Sequence, residues 1–392
     1  MVGPALPARP GHRLRRTPRG RAPAWQPLPV QYADYALWQQ RLLGDPADPS
    51  SRAARQLAFW RTALDGAPEE IELPTDRPRP ARPAFTGAEL DVRIGEDTHR
   101  GLRRLARESG ASMFMVTHAV VAALLHRLGA GTDIPLGAPI AGRGDEALDD
   151  LVGFFVNTLV LRADLAGDPS FTELLARVRD ADLAAFSHAD VPFESVVEAL
   201  NPTRSLARNP LFQVMVGHHT RTGDAAALPG LAVEDVPFRI RSAKFDLVFS
   251  FTEHHPGDGG PGSLSCRLEY ATELFDRDTA ERIGDRLRRL AAALAAEPGR
   301  PLSGPGSSHP ANATRCSRSS TPPPARSTRP RCPPSSRHAR RSSPARSPSS
   351  SAPGSSTTRS STPAPTGSPG CSPIAAWAPR TSWAWPCPGP PT

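Results

Sequence analysis

The residues able to do chemistry fall into a few groups. Histidine pairs occur in Gly217-His-His-Thr-Arg-Thr-Gly-Asp224 and in His254-His-Pro-Gly-Asp-Gly259. A histidine beside a reacting amine can manage its proton. The second pair lies among ordinary turn formers, and the first follows an apolar run whose exposed end it marks. His188 and Asp190 stand at a helix end before Val191-Pro192. A charged imidazole suits a helix C-terminus and a carboxylate suits the next N-terminus, so both read as caps. Asn157 interrupts an apolar run, where an amide is normally hydrogen-bonded. Arg208 and Asn209 precede Pro210 and an apolar stretch. His118 and His126 share one helix face without a third ligand, so no metal site is expected. Gly142-Arg-Gly144 is too short for a phosphate loop and has no strand–loop–Lys context.

These groups need elements to position them. The pattern predicts a helix up to about Leu43, then one over Ser51–Leu64 with Ala54, Leu57, Ala58 and Leu64 inward. Leu73-Pro-Thr-Asp-Arg-Pro-Arg-Pro80 must be extended, because its prolines forbid a helix. Glu89–Ile94 alternates as a strand, and Asp97 or Thr98 is expected to cap a helix through Ser109. Ser112 opens a more apolar, buried helix to Leu128. Ile134–Ile140 and Phe155–Ala163 read as strands. Ser170-Phe-Thr-Glu173 is a capping box for a helix to about His188. Pro192 fits the first turn of a short helix ending near Leu200. Leu211–Gly217 is β-rich, Phe245–Glu253 and Leu264–Tyr270 form a hairpin, and Asp276 caps a last amphipathic helix to about Ala296. Strands alternating with helices of these lengths give an α/β (α+β) fold with one substantial core.

The 392 residues carry a net charge of +8, which would fit a nucleic-acid partner. The distribution argues against one. Residues 304–392 hold 11 Arg and no acid, and 1–21 hold 6 Arg and no acid, which leaves an acidic body. A basic stripe interleaved with stacking aromatics is absent from that body. No apolar run approaches the ~20 residues that span a bilayer. Cys266 is the lone body cysteine, which fits a reducing cytoplasm and no disulfide framework. Residues 1–26 and the Ser/Pro/Arg-rich 303–392 have no apolar periodicity. They are expected to be disordered, or to be out-of-frame translation of G+C-rich coding sequence.

Three segments carry a resemblance. Val152-Gly-Phe-Phe-Val-Asn-Thr158, His188-Ala-Asp-Val-Pro-Phe-Glu194 and Arg208-Asn-Pro-Leu-Phe-Gln213 resemble, in order and spacing, the later motifs of a non-ribosomal peptide synthetase condensation domain. Gln31-Tyr-Ala-Asp-Tyr-Ala-Leu-Trp38, Leu73–Pro80 and Leu268-Glu-Tyr-Ala-Thr-Glu-Leu-Phe-Asp276 extend it over 27–302. The resemblance implies chloramphenicol-acetyltransferase-like lobes in a V, with a mixed β-sheet and packed helices here. It also implies carrier proteins that present thioesters on phosphopantetheine arms in a tunnel between the lobes. There the acceptor amine attacks the donor thioester, which needs proton management and oxyanion donors. Asn157, His188, Asp190, Arg208 and Asn209 are the tunnel or motif candidates, each with loop-fixing or capping as its alternative.

The family signature His-His-x-x-x-Asp-Gly does not occur in the chain. The first histidine pair has Gly and Asp reversed, and the second has one spacer too few. The expectation is a partial domain, the C-terminal lobe with a remnant of the N-terminal one. It has no catalytic residue, metal or cofactor of its own and is inactive alone. Its partners are carrier proteins and other synthetase modules, not nucleic acid or membrane. The alternative is a non-catalytic module that docks a carrier or a subunit.

Overall fold

The computed structural model describes residues 27–221, 241–254 and 262–303. Helices α1 (Tyr32–Leu43) and α2 (Arg52–Ala63) lead into β1 (Gly87–Ile94), α3 (Glu96–Glu108), α4 (Met113–Arg127), β2 (Asp133–Ile140) and β3 (Asn157–Asp164). Then come α5 (Phe171–Phe186), α6 (Phe193–Leu200), β4 (Val214–Arg221), β5 (Leu247–His254), β6 (Ser263–Ala271) and α7 (Arg277–Ala296). The six strands form one sheet in the order β1-β6-β5-β4-β2-β3. The β4–β5 and β2–β4 pairings are parallel and the other three antiparallel.

Strand alternation decides which face is covered. Leu247, Phe249 and Phe251 of β5 and Leu264, Cys266, Leu268 and Tyr270 of β6 are buried. Their neighbours in sequence are part-exposed or exposed, as the period-2 pleat requires. α4 lies in the middle of the helix layer, and every residue from Met115 to Leu125 is buried. A helix apolar on nearly every side is buried on every side. α3, α5 and α7 flank it. Ser170 accepts from Glu173 N while Glu173 reaches back to Ser170 N at 2.7 Å, so the capping box forms.

Four boundaries differ from the sequence reading. α3 starts at Glu96 with Gly95 as N-cap, so Glu96 and Asp97 occupy the first turn, where the helix dipole favours acids. Pro192 is the N-cap of α6 and not its first residue, with extended ψ of 147. β4 begins at Val214, because Leu211 has φ of 69 and breaks the strand that was expected there. β3 begins at Asn157, because Phe155 turns away to meet Tyr32 and Tyr35 of α1. On α2 the inward residues include Gln56 and Trp60, whereas Ala58 is exposed.

The termini expected to be disordered lie outside the described residues. Ser303 is the exception, bound through N to Asp168 at 2.9 Å. Both histidine segments run beyond the described residues, although His218 and His219 lie within β4. Thr222–Asp224 of the first and His255–Gly259 of the second lie outside them. Among the described residues no single helix is long and apolar enough to cross a membrane.

Candidate functional site

The motif segments gather into two clusters. The first is built around the loop 188–193 between α5 and α6. Asn157, the first residue of β3, donates to Ala189 O at 3.0 Å and Val191 O at 2.8 Å. Its Oδ1 accepts from Phe193 N at 3.0 Å. Gln56 of α2 grips the same loop from the other side. Its Oε1 accepts from Asp190 N and Val191 N at 3.1 and 3.0 Å, and its Nε2 donates to Asp190 Oδ2 at 2.5 Å. Trp60, one turn on, donates its indole N–H to His188 O at 2.9 Å. Arg52 completes the row with a 2.6 Å bond to Asp190.

His188 stacks on Phe59 with ring centres 3.9 Å apart, and its Nδ1 lies 2.8 Å from Ala184 O at the end of α5. Asp190 is tied to α2 and does not cap α6, whose N-cap is Pro192. The cap assignment for Asp190 is therefore corrected, because two donors on α2 reach its carboxylate.

The segment 151–156 covers this cluster. Tyr32 Oη donates to Phe154 O at 2.7 Å. Gly153 lies under the Tyr32 ring, where an added Cβ would collide with it. Arg143 sits 4.1 Å over the Phe155 ring and donates to Leu151 O at 2.8 Å and to Leu148 O. Gly142 adopts φ of +62, and an added Cβ there would fall on Phe155 O, so this position admits only glycine. The loop around Arg143 thus buttresses the motif segment. Burial is the largest influence that pushes the Tyr35 hydroxyl pKa up, followed by Tyr32 and then Asp190. Three apolar side chains remain exposed here, Phe154 at 78%, Val152 at 56% and Leu37 at 54%.

The second cluster joins 69–79, 208–213 and 244–246. Arg208 pairs with Glu69 at 2.7 Å and Glu70 at 3.3 Å. Asn209 donates to Lys244 O at 2.6 Å. Gln213 accepts from Ile71 N at 3.2 Å and donates to Glu69 O at 3.0 Å. Arg79 makes a two-pronged pair with Asp246, at 2.8 and 2.5 Å, and a third bond to Glu70. The Asp246 bond is the main reason the Arg79 guanidinium is held even further above the usual range. A cleft of about 220 Å³ opens here, lined in part by Arg61, Glu69, Thr203 and Arg208.

Aromatic contacts join the clusters: Phe193 lies 5.7 Å from Phe212 in a tilted pair, and Phe212 stacks on Phe245 at 5.4 Å. Asn157, His188 and Asp190 are therefore brought together, while Arg208 and Asn209 stand in the second group. Sequence reasoning missed Arg52, Gln56, Trp60, Arg79, Gln213 and Asp246. The i, i+4 spacing of Gln56 and Trp60 beside Ala53 and Leu57 was the available signal for the first group. His118 and His126 do not meet. His118 Nδ1 contacts Asp182 at 3.1 Å in the interior, and His126 Nδ1 contacts Gly131 O at 2.7 Å. Among the described residues no group of three or more His, Cys, Asp or Glu could hold a metal.

The Condensation domain family matches residues 19–312. A probable non-canonical nonribosomal peptide synthetase, CymA of Salinispora arenicola (strain CNS-205), is 53% identical over 281 residues, 72% of this chain and 4% of that protein. The chain thus spans a small part of that relative. The X-domain from teicoplanin biosynthesis superposes with a TM-score of 0.70 at 38% identity, covering 76% of this chain and 66% of that one. A structure of the X-domain with OxyB from the same biosynthesis also has a TM-score of 0.70, at 36% identity over 78% of this chain and 65% of that one.

Proposed function

The chain belongs to the condensation-domain family, and from that premise we propose that it receives carrier-protein-bound aminoacyl or peptidyl thioesters in nonribosomal peptide synthesis. The observation that supports this most is the convergence of the family's motif segments on two adjoining clusters, one of them beside a cleft lined by Arg61 and Arg208. The substrates ride on phosphopantetheine arms of carrier proteins, and the chain itself supplies no cofactor. Amide formation requires a group that manages the proton of the attacking amine. The sequence holds no His-His-x-x-x-Asp-Gly segment, and Asn157 and His188 are engaged with backbone. The chain alone therefore binds without condensing.

The test uses purified chain with apo carrier, unloaded holo carrier and holo carrier loaded with an aminoacyl thioester. Saturable binding that needs the phosphopantetheine arm, with no amide product by mass spectrometry, is the expected result. Amide product from the chain and two loaded carriers would overturn the inactivity. Equal binding of apo and holo carriers would overturn the substrate-receiving role.

A second reading is a docking module for a separate protein. The likeness to an X-domain solved in complex with OxyB favours it. It predicts binding to a synthetase-associated protein that does not depend on the phosphopantetheine arm.

A further inference from the structure

Away from both clusters, His99 of α3, His218 of β4 and Glu253 of β5 meet at one end of the sheet. Their side chains are 1%, 8% and 9% exposed. His99 Nδ1 lies 2.6 Å from Gly262 O, and its Nε2 lies 2.7 Å from Glu253 Oε1. The first of these partners can only accept. The His99 bond holds the Glu253 carboxyl below the usual carboxylate range, so Glu253 is an acceptor as well. Both ring nitrogens of His99 thus face acceptors, and this buried contact fastens α3 to the sheet.

His218 stands apart from that pair. Its Nε2 is 3.9 Å from the second oxygen of Glu253, beyond hydrogen-bond reach, and has no partner. We propose that His218 is a proton-operated release. The α3–sheet joint is closed while the His218 ring is neutral, and it loosens when the ring takes up a proton, because a charged ring buried without a hydrogen-bond partner must move to find one or reach water. The charges around the joint sharpen this. His99 of α3 and His219 of its own strand oppose a proton on His218, and Arg103 of α3 already draws on Glu253. α4, packed on β4, carries no carboxylate, and its His118 is engaged with Asp182.

Burial pushes the His218 pKa down from its usual 6.5, more than Glu253 pulls it up. The sign follows. A histidine with a lowered folded pKa gives stability that is present above about 6.5 and lost as pH falls through the folded value. Each unit of lowering is worth about a tenfold change in opening.

The test is hydrogen exchange on the full chain, corrected for intrinsic rates, between pH 7.5 and 5. That range stays above the Glu253 titration. Protection at the start of α3 and the ends of β4 and β5 should fall about tenfold per unit of lowering, relative to the middle of α4. His218→Phe should flatten that dependence. The same pH profile in His218→Phe would overturn the proposal. If that variant does not fold, the titration of the His218 ring carbon in the native chain decides by NMR. A loss of α3 protection that follows the ring's midpoint supports the release, and one that does not follow it ends it.

Discussion

The loop 188–193 and the segment 208–213 are both motif loops tied to distant chain, yet different chemistry holds them. The first is read mainly by neutral amides. Asn157 presents a donor and an acceptor to loop backbone, Gln56 presents an acceptor to loop backbone and a donor to the Asp190 carboxylate, and only Asp190–Arg52 is an ion pair, with 34% and 43% of the side chains exposed. The second shares one amide hub, Gln213, but rests on Arg79–Asp246 and on Arg208 with Glu69 and Glu70. An amide satisfies backbone at any pH and salt. An ion pair depends on both, except where it is desolvated. The first loop is thus built to hold one shape, and the second to respond to charge.

The largest effect should come from Asp246. Its side chain is 9% exposed and that of Arg79 19% exposed, so Asp246→Ala strands a mostly buried guanidinium with only Glu70 left. Breaking one partner of a buried pair costs about 3 kcal/mol, read as the loss of unfolding free energy in urea. Replacing both partners with apolar residues should cost clearly less, since no charge is stranded. A loss below about 1 kcal/mol for Asp246→Ala would mean that this cluster is as solvated as a surface pair.

Asn157→Ala comes next. It leaves Ala189 O, Val191 O and Phe193 N without their side-chain partner. Unsatisfied, part-buried backbone groups cost about 2 kcal/mol. The effect should be the same in low and high salt, and that sameness is the sharper measurement. A salt-dependent loss would break the contrast between the clusters. Gln56→Leu keeps volume and removes three bonds to the loop, for about 1 kcal/mol. Its exchange effect should be confined to amides 188–193.

Why some of this was legible in sequence follows from locality. α4 announces itself because nine of the eleven successive residues Met115–Leu125 are apolar, and that needs no partner to be read. The Ser170–Glu173 box and the alternation of β5 and β6 are likewise written in neighbouring residues. The three motif segments named the family because their order and spacing repeat a pattern. The hubs are different. Gln56 meets Asp190 across 134 residues and Gln213 meets Glu69 across 144. An amide on an apolar face shows that some partner exists and not which one. The β4 boundary turned on one backbone angle at Leu211, a residue whose type favours no such conformation.

The smallest effect is expected at Arg208, and it separates fold from function most cleanly. Its carboxylate partners keep other bonds when it is gone. Thr203 donates to Glu69 at 2.6 Å, the main cause of that carboxyl's lowered pKa, and Arg79 retains Glu70 at 2.8 Å. Arg208→Ala should therefore leave the urea midpoint unchanged within error, in low and high salt alike. A fixed midpoint makes a binding change interpretable. If the cleft beside Arg208 receives the anionic arm of a holo carrier, the variant should weaken that binding by about tenfold in low salt. The gap from the native chain should shrink as salt rises. Unchanged binding would reduce Arg208 to a loop tie. A lowered midpoint would show that the charged cluster, like the amide one, is first a device for holding shape.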